Sequence, residues 1–251
     1  GFESMSIIFR YECRRLMWNR FFFGFLLILL LYGWQVLDEV TILGISHTAP
    51  FSPWSFGDYL SRQLPLLWAG TLFLLTFFTS GKARSVSVLT SACPMNPERY
   101  AVVRLAAALT GTSLLSFVVL AEAATFYLIR FQWAGWGSLA SSALVTLAPP
   151  LVFALESGWI LGNIRPWLLF AWMAVPIICR FLPLPDALGM WNGSFFSRYP
   201  LTLELPDPGF LVPGPVLAVQ GALWAAGVIL GGIIIFPRKN TSQSPPSSAS
   251  V

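Results

Sequence analysis

Residues 105–129 read LAAALTGTSLLSFVVLAEAATFYLI and carry a single acidic or basic side chain, Glu122. About 20 predominantly apolar residues suffice for an α-helix to cross the hydrocarbon core of a bilayer. In lipid, backbone N–H and C=O groups must pair within the segment, so such a stretch is read as a helix. Five other stretches share its character: 21–37, 64–79, 139–161, 167–182 and 212–236. Together they predict an all-α polytopic membrane protein with about six transmembrane helices, in a single transmembrane domain over 5–237. The composition agrees, with 56% hydrophobic and 10% charged residues and a mean hydropathy of +0.70. Soluble domains carry about 25% charged residues. Eleven Trp and 21 Phe suit a chain that meets bilayer interfaces. The spans fill most of the chain and leave no room for a soluble catalytic domain.

Lys and Arg set the orientation, because cytoplasmic segments carry an excess of them. With the N-terminus inside, Arg10, Arg14, Arg15, Arg20, Lys82, Arg84, Arg99, Arg104, Arg165, Arg238 and Lys239 fall inside. Only Arg62, Arg130, Arg180 and Arg198 fall outside, which divides the 15 basic residues 11 to 4. Asp38, Glu39, Asp58, Asp186, Glu204 and Asp207 all fall outside. Both termini are therefore expected in the cytoplasm. The net charge of +4 is small, and the lipid bilayer rather than nucleic acid is the expected partner.

Several segments outside the spans have character. Gly1 to Ser4 precede Met5 and read as a cloning scar. Residues 6–20 are basic and aromatic, with Ile7, Ile8, Tyr11 and Trp18 on roughly one side, which predicts an interfacial helix feeding the first span. Residues 183–213 are rich in Pro, Gly and aromatics. With Trp191, Phe195, Phe196 and Tyr199 in so short a stretch, the segment is expected to pack as an outer cap, since open exposure would leave an apolar patch. Residues 238–251 are rich in Ser and Pro and predict a disordered cytoplasmic tail.

The absences narrow the chemistry. The lone histidine, His47, rules out bis-histidine haem ligation within the chain and an HExxH zinc site. Cys13, Cys93 and Cys179 form no CxxC pair and read as small buried thiols rather than a disulfide or zinc framework. No Asp lies within a predicted span, which excludes an intramembrane aspartyl dyad. Gly81-Lys82 resembles the end of a phosphate-binding loop, but Ala83 follows where Ser or Thr is needed, and Thr76 stands where the first Gly is needed. No catalytic site, metal site or cofactor of the chain's own is expected. Glu122 and Glu156 are the polar exceptions inside spans. Such groups usually face a bundle interior, where they either line a path or join helices. They sit near opposite faces, which speaks against a joint site.

The 81–104 loop is the longest connection on the cytoplasmic side. A short helix can run from Arg84 to about Ser91 before Pro94 stops it, and Pro97 can open the next helix at its first turn. A basic interfacial N-terminal helix, six spans and an Arg–x(n)–Leu–x(n)–Pro–x(n)–Arg loop between spans two and three resemble the permease subunits of ABC-2 type transporters. The resemblance covers most of 5–237. It implies a coupling helix seated in a groove of separate ATPase subunits, which would hold ATP and Mg. Arg84, Val88, Leu89, Pro94, Pro97 and Arg99 become the contact candidates. Many members place an acid where this chain has Lys82-Ala83-Arg84, a departure that implies an acidic groove on the partner. The resemblance further implies a second permease subunit, identical or different, and export of a peptide, drug, lipid or glycan across a prokaryotic plasma membrane. The rival expectation is a membrane immunity or sensor protein that binds an extracellular peptide through the 183–213 aromatics and transports nothing.

Overall fold

The computed structural model describes residues 2–80, 82–83 and 97–236. Arg84, Val88, Leu89 and Pro94 lie outside the described residues, as does the tail over 238–251. The described residues form helices and no strand. In chain order these are α1 (Phe2–Met17), α2 (Arg20–Glu39), α3 (Pro53–Thr79), α4 (Pro97–Phe131), α5 (Ala140–Ile164), α6 (Trp167–Phe181), α7 (Gly189–Asn192), α8 (Ser194–Thr202) and α9 (Gly214–Ile235), with three short 3-10 turns between them.

Each of the six predicted apolar stretches lies on one of these helices. Four helices, α2, α4, α5 and α9, are long and apolar enough to cross a membrane, and they mark the chain as a multi-pass, membrane-embedded protein. The other two differ for separate reasons. α6 has 15 residues, about 22 Å at 1.5 Å per residue, against a hydrocarbon core of about 30 Å. α3 has 27 residues, but Asp58, Arg62 and Gln63 interrupt its first half.

The sequence places the start of an apolar span at residue 64, whereas α3 begins at Pro53. The local signals for that start are sound. The Ser52 hydroxyl accepts from the Ser55 N–H, and Pro53 fills the first turn, where its missing N–H costs nothing. What hid them is that residues 55–63 are polar. Ser55, Asp58, Ser61 and Gln63 are all buried and bond to protein groups, apart from Gln63 Oε1, which has no partner. α3 is the axis of the bundle and packs against α2, α4, α5 and α6. Trp68 shows how tightly: its ring meets Phe153, Trp172 and Trp191, and its Nε1–H donates to the Trp172 carbonyl at 2.9 Å.

Asn19 divides α1 from α2. Its Oδ1 accepts from the Phe22 N–H at 2.8 Å, and its Nδ2 donates to the Leu16 carbonyl at 2.7 Å. One side chain thus pairs the open end of one helix and the open start of the next. Glu3 and Ser4 are helical and continue α1 ahead of Met5. α4 opens at Pro97, the first-turn position expected for a proline.

α9 sits at the periphery and packs mainly against α5. Gly227 and Gly231 form the contact: a Cβ at Gly227 would meet Val152, and one at Gly231 would meet the Glu156 carboxyl. Small residues four apart let two apolar backbones approach closely where lipid, not water, is the competing surface. The exterior is apolar, with Leu27, Ile28, Leu31, Phe117, Phe170, Ile177, Trp224 and Ile229 exposed on α2, α4, α6 and α9.

Candidate functional site

Three places concentrate polar or aromatic groups in this apolar bundle. The first is at the foot of the 81–104 loop. Glu12 of α1 is 1% exposed. The Tyr100 hydroxyl donates to Glu12 Oε1 at 3.0 Å, and Arg104 donates to the Tyr100 hydroxyl, also at 3.0 Å. Arg104 Nε lies 3.9 Å from Glu12 Oε1, and its guanidinium stands over the Tyr100 ring, 4.0 Å from the centroid. On the other side Arg15 reaches Glu12 Oε2 at 3.4 Å and donates to the Phe77 carbonyl at 3.2 Å. One buried carboxylate thereby ties α1 to the first turns of α4 and, through Arg15, to the last turn of α3. These are the two helices that the loop connects. Of the contact candidates that are described, Arg99 is exposed beside this clamp and Pro97 begins the helix that carries it. Cys13, one residue from Glu12, is half-buried; burial first, and the Glu12 charge second, push its thiol up, which makes it a poor nucleophile. Neither Glu12 nor Tyr100 stood out in the sequence, although an acid among the three arginines of one amphipathic helix, Arg10, Arg14 and Arg15, is a usable signal for an inward-facing charge.

The second place is inside the bundle. The Tyr59 hydroxyl lies 3.1 Å from Glu122 Oε2 and 3.2 Å from the Val119 carbonyl. Gln63 donates to the Leu29 carbonyl at 3.3 Å, while its Oε1 has no partner. Gly33 of α2 makes room for both side chains, because a Cβ there would overlap Gln63 Nε2 and Glu122 Oε2. Glu122 therefore joins α4 to α3 and packs on α2. Glu156 stands apart: its carboxyl packs on Gly231, and its Oε2 is buried without a partner. The two glutamates belong to different helix contacts, Glu122 to α3 and α2 and Glu156 to α9. Gly33→Ala is expected to force the Tyr59–Gln63–Glu122 cluster apart, an overpacking cost of about 1–3 kcal/mol. Thermal unfolding in detergent should show a lowered midpoint for Gly33→Ala and almost none for Gly24→Ala, where a Cβ meets nothing; equal effects would remove the steric argument.

The third place is the opposite end of the bundle. Residues 183–213 fold over the start of α3 around Trp54, which is fully buried. Its ring contacts Phe195, Tyr199 and Phe210 at centroid distances of 5.4, 5.9 and 5.1 Å, and its Nε1–H donates to the Pro208 carbonyl at 2.8 Å. Met190, Phe195, Phe196 and Val216 complete the cluster. Phe196 fills the notch at Gly57, where a Cβ would overlap its ring. Trp191 points elsewhere, into the α3–α6 core against Trp68. The turn at Gly193 (φ +80°) lies against Ser61 and Asp58, a backbone conformation that glycine adopts without strain. Asp58 is buried and accepts from Arg62 Nε at 2.9 Å, and Arg180 donates to the Ser61 carbonyl. The Ser46 hydroxyl donates to the Ser197 carbonyl, and the Asp207 carboxylate accepts from the Ala49 N–H. Trp191, Phe195, Phe196 and Tyr199 were legible as a packed segment. Trp54, the hub for Phe195, Tyr199 and Phe210, was not, because residue 54 falls outside the apolar span read from 64–79.

The fold defines a helical, multi-pass membrane protein, and these three places are where its described polar and aromatic groups bond to one another most densely. Protein-family models, curated proteins and solved structures contain no match to this chain.

Proposed function

We propose that this chain is the membrane-spanning permease subunit of an ATP-driven exporter, with ATPase subunits docked on the 81–104 loop and a second permease subunit alongside. α3 and α6 add to the four long apolar helices to make six crossings. This reading sets the α1 end and both termini in the cytoplasm, which the excess of Lys and Arg at that end supports, and takes the bilayer to be a prokaryotic plasma membrane. The observation that carries the reading is the Glu12 clamp. A push on the loop reaches the last turn of α3 and the first turns of α4, and the clamp joins both to α1. A force applied at one contact is then shared by three helices, as conversion of ATPase closure into helix movement requires.

The test is co-purification with the ATPase encoded nearest the gene, and its transport-linked ATPase activity in nanodiscs. Central apolar anchors hold protein complexes, while rim charges tune association. Leu89→Asp is expected to lose the ATPase subunit by tenfold or more while the bundle stays folded. Arg84→Glu should weaken assembly more at low salt than at high salt. Normal assembly and activity of Leu89→Asp would reduce the loop to a connector and remove the proposal.

A second reading is favoured by one feature. The packed 183–213 segment borders a cavity lined by Asp186, Arg198 and Tyr199, which suits a sensor or immunity protein that binds an extracellular peptide.

A further inference from the structure

Between α8, the first turn of α9 and the turn at Asp186 lies a cavity of about 480 Å³. That size is within the range of small-molecule pockets. Its lining divides cleanly. Tyr199 and Pro213 provide the accessible apolar floor, and Phe195, stacked on Tyr199 with centroids 5.4 Å apart, supports it from beneath with Val216, both being buried. Asp186 and Arg198 also line it, and neither has an ion-pair partner among the described residues. A carboxylate and a guanidinium that line one cavity and do not pair with each other present two separated charges of opposite sign over an aromatic surface.

We propose that this cavity binds a short zwitterionic peptide, its ammonium toward Asp186, its carboxylate toward Arg198 and its apolar side chains on Tyr199 and Pro213. Arg is the side chain whose fork matches a carboxylate. A blocked or singly charged ligand would leave one of the two charges unmatched. The proposal deepens the peptide-binding reading of the 183–213 segment and does not rest on any ATPase at the 81–104 loop. It is therefore tested without one.

The experiment is equilibrium dialysis of the full chain in phosphatidylglycerol nanodiscs against tripeptides with Ala, Leu or Phe at the centre. Each is offered free, N-acetylated and C-amidated. Saturable binding of at least one free peptide is expected, with each blocked form roughly tenfold weaker, the loss of one charge-assisted hydrogen-bonding contact. Asp186→Asn should abolish the preference for free over acetylated peptide and keep the preference over amide. Arg198→Gln should do the converse. Both side chains are exposed, and unchanged protease resistance of residues 183–213 reports that each variant is folded. The proposal is overturned if no free peptide binds saturably, if blocked peptides bind equally well, or if the variants lose affinity without changing preference. Displacement by glycerophosphoethanolamine at lower concentration than by peptide would overturn it too, and would make the cavity a lipid-headgroup site. Peptide binding with an unaffected Leu89→Asp assembly would leave this inference standing while the permease reading fails.

Discussion

Trp54→Ala is expected to lower stability by about 4 kcal/mol and to release residues 183–213 from the bundle. Truncating a buried Trp costs about 3–5 kcal/mol through lost contacts and the cavity left behind. Here the loss is concentrated, because Phe195, Tyr199 and Phe210 all meet the same ring. The Pro208 carbonyl also loses its donor. Limited chymotrypsin digestion in detergent reads the result. Wild type should resist cleavage at Phe195, Phe196 and Tyr199, and Trp54→Ala should be cut there at least tenfold faster. Trp54→Phe, which keeps most of the ring surface but not the N–H, should fall between. Unchanged cleavage in Trp54→Ala would mean that the segment is held by Gly193, Asp58 and Ser46 rather than by its aromatic hub.

Glu12→Ala is expected to cost about 3 kcal/mol and to free α1 from the bundle. Removing one partner of a buried ion pair leaves the other charge unmatched, which costs about 3–5 kcal/mol; the 3.9 Å separation from Arg104 Nε places this pair at the lower end. Tyr100 and Arg104 would keep each other but lose the carboxylate that both serve. Trypsin cleavage at Arg10 and Arg14, exposed on α1, should accelerate, and the unfolding midpoint should drop. Glu12→Gln retains an acceptor for Tyr100 and should show a smaller loss. If α1 stays protected in Glu12→Ala, its apolar contacts through Phe9, Cys13 and Leu16 hold it without the clamp.

The helices that were plain in the sequence are those whose surroundings are uniform. Residues 105–129 and 212–236 meet lipid or apolar neighbours along most of their length, so their composition alone reports their state. Pro97 was legible for a local reason, since a proline that opens a helix needs no tertiary partner. The first half of α3 was not. Ser55, Asp58, Ser61 and Gln63 look like loop residues until their neighbours are known, and most of those lie off the helix: Thr48 beside Ser55, Gly193 against Asp58 and Ser61, and Leu29 of α2 at Gln63, with only Arg62 on α3 itself. Glu12 was obscured in the same way by the arginines around it. The buried glutamates were visible as exceptions to composition, but only packing shows that Glu122 meets Tyr59 whereas Glu156 meets a glycine.

The buried polar half of α3 has a consequence for how the chain is made. Placing Asp or Arg at the centre of an inserted helix costs about 2.5–3.5 kcal/mol each, and Asp58, Arg62 and Gln63 lie on one helix. The Asp58–Arg62 ion pair forms within α3 itself, but Gln63 needs the Leu29 carbonyl of α2, and Tyr59 waits on α4 for Glu122. On its own, α3 is a poor segment to release from the insertion machinery into lipid. It becomes a good one when α4, later in the chain, has been synthesised. If α3 crosses the bilayer, as the proposed six-span reading has it, it is best inserted together with α4, and a ribosome stalled between them would leave α3 stranded at the translocon.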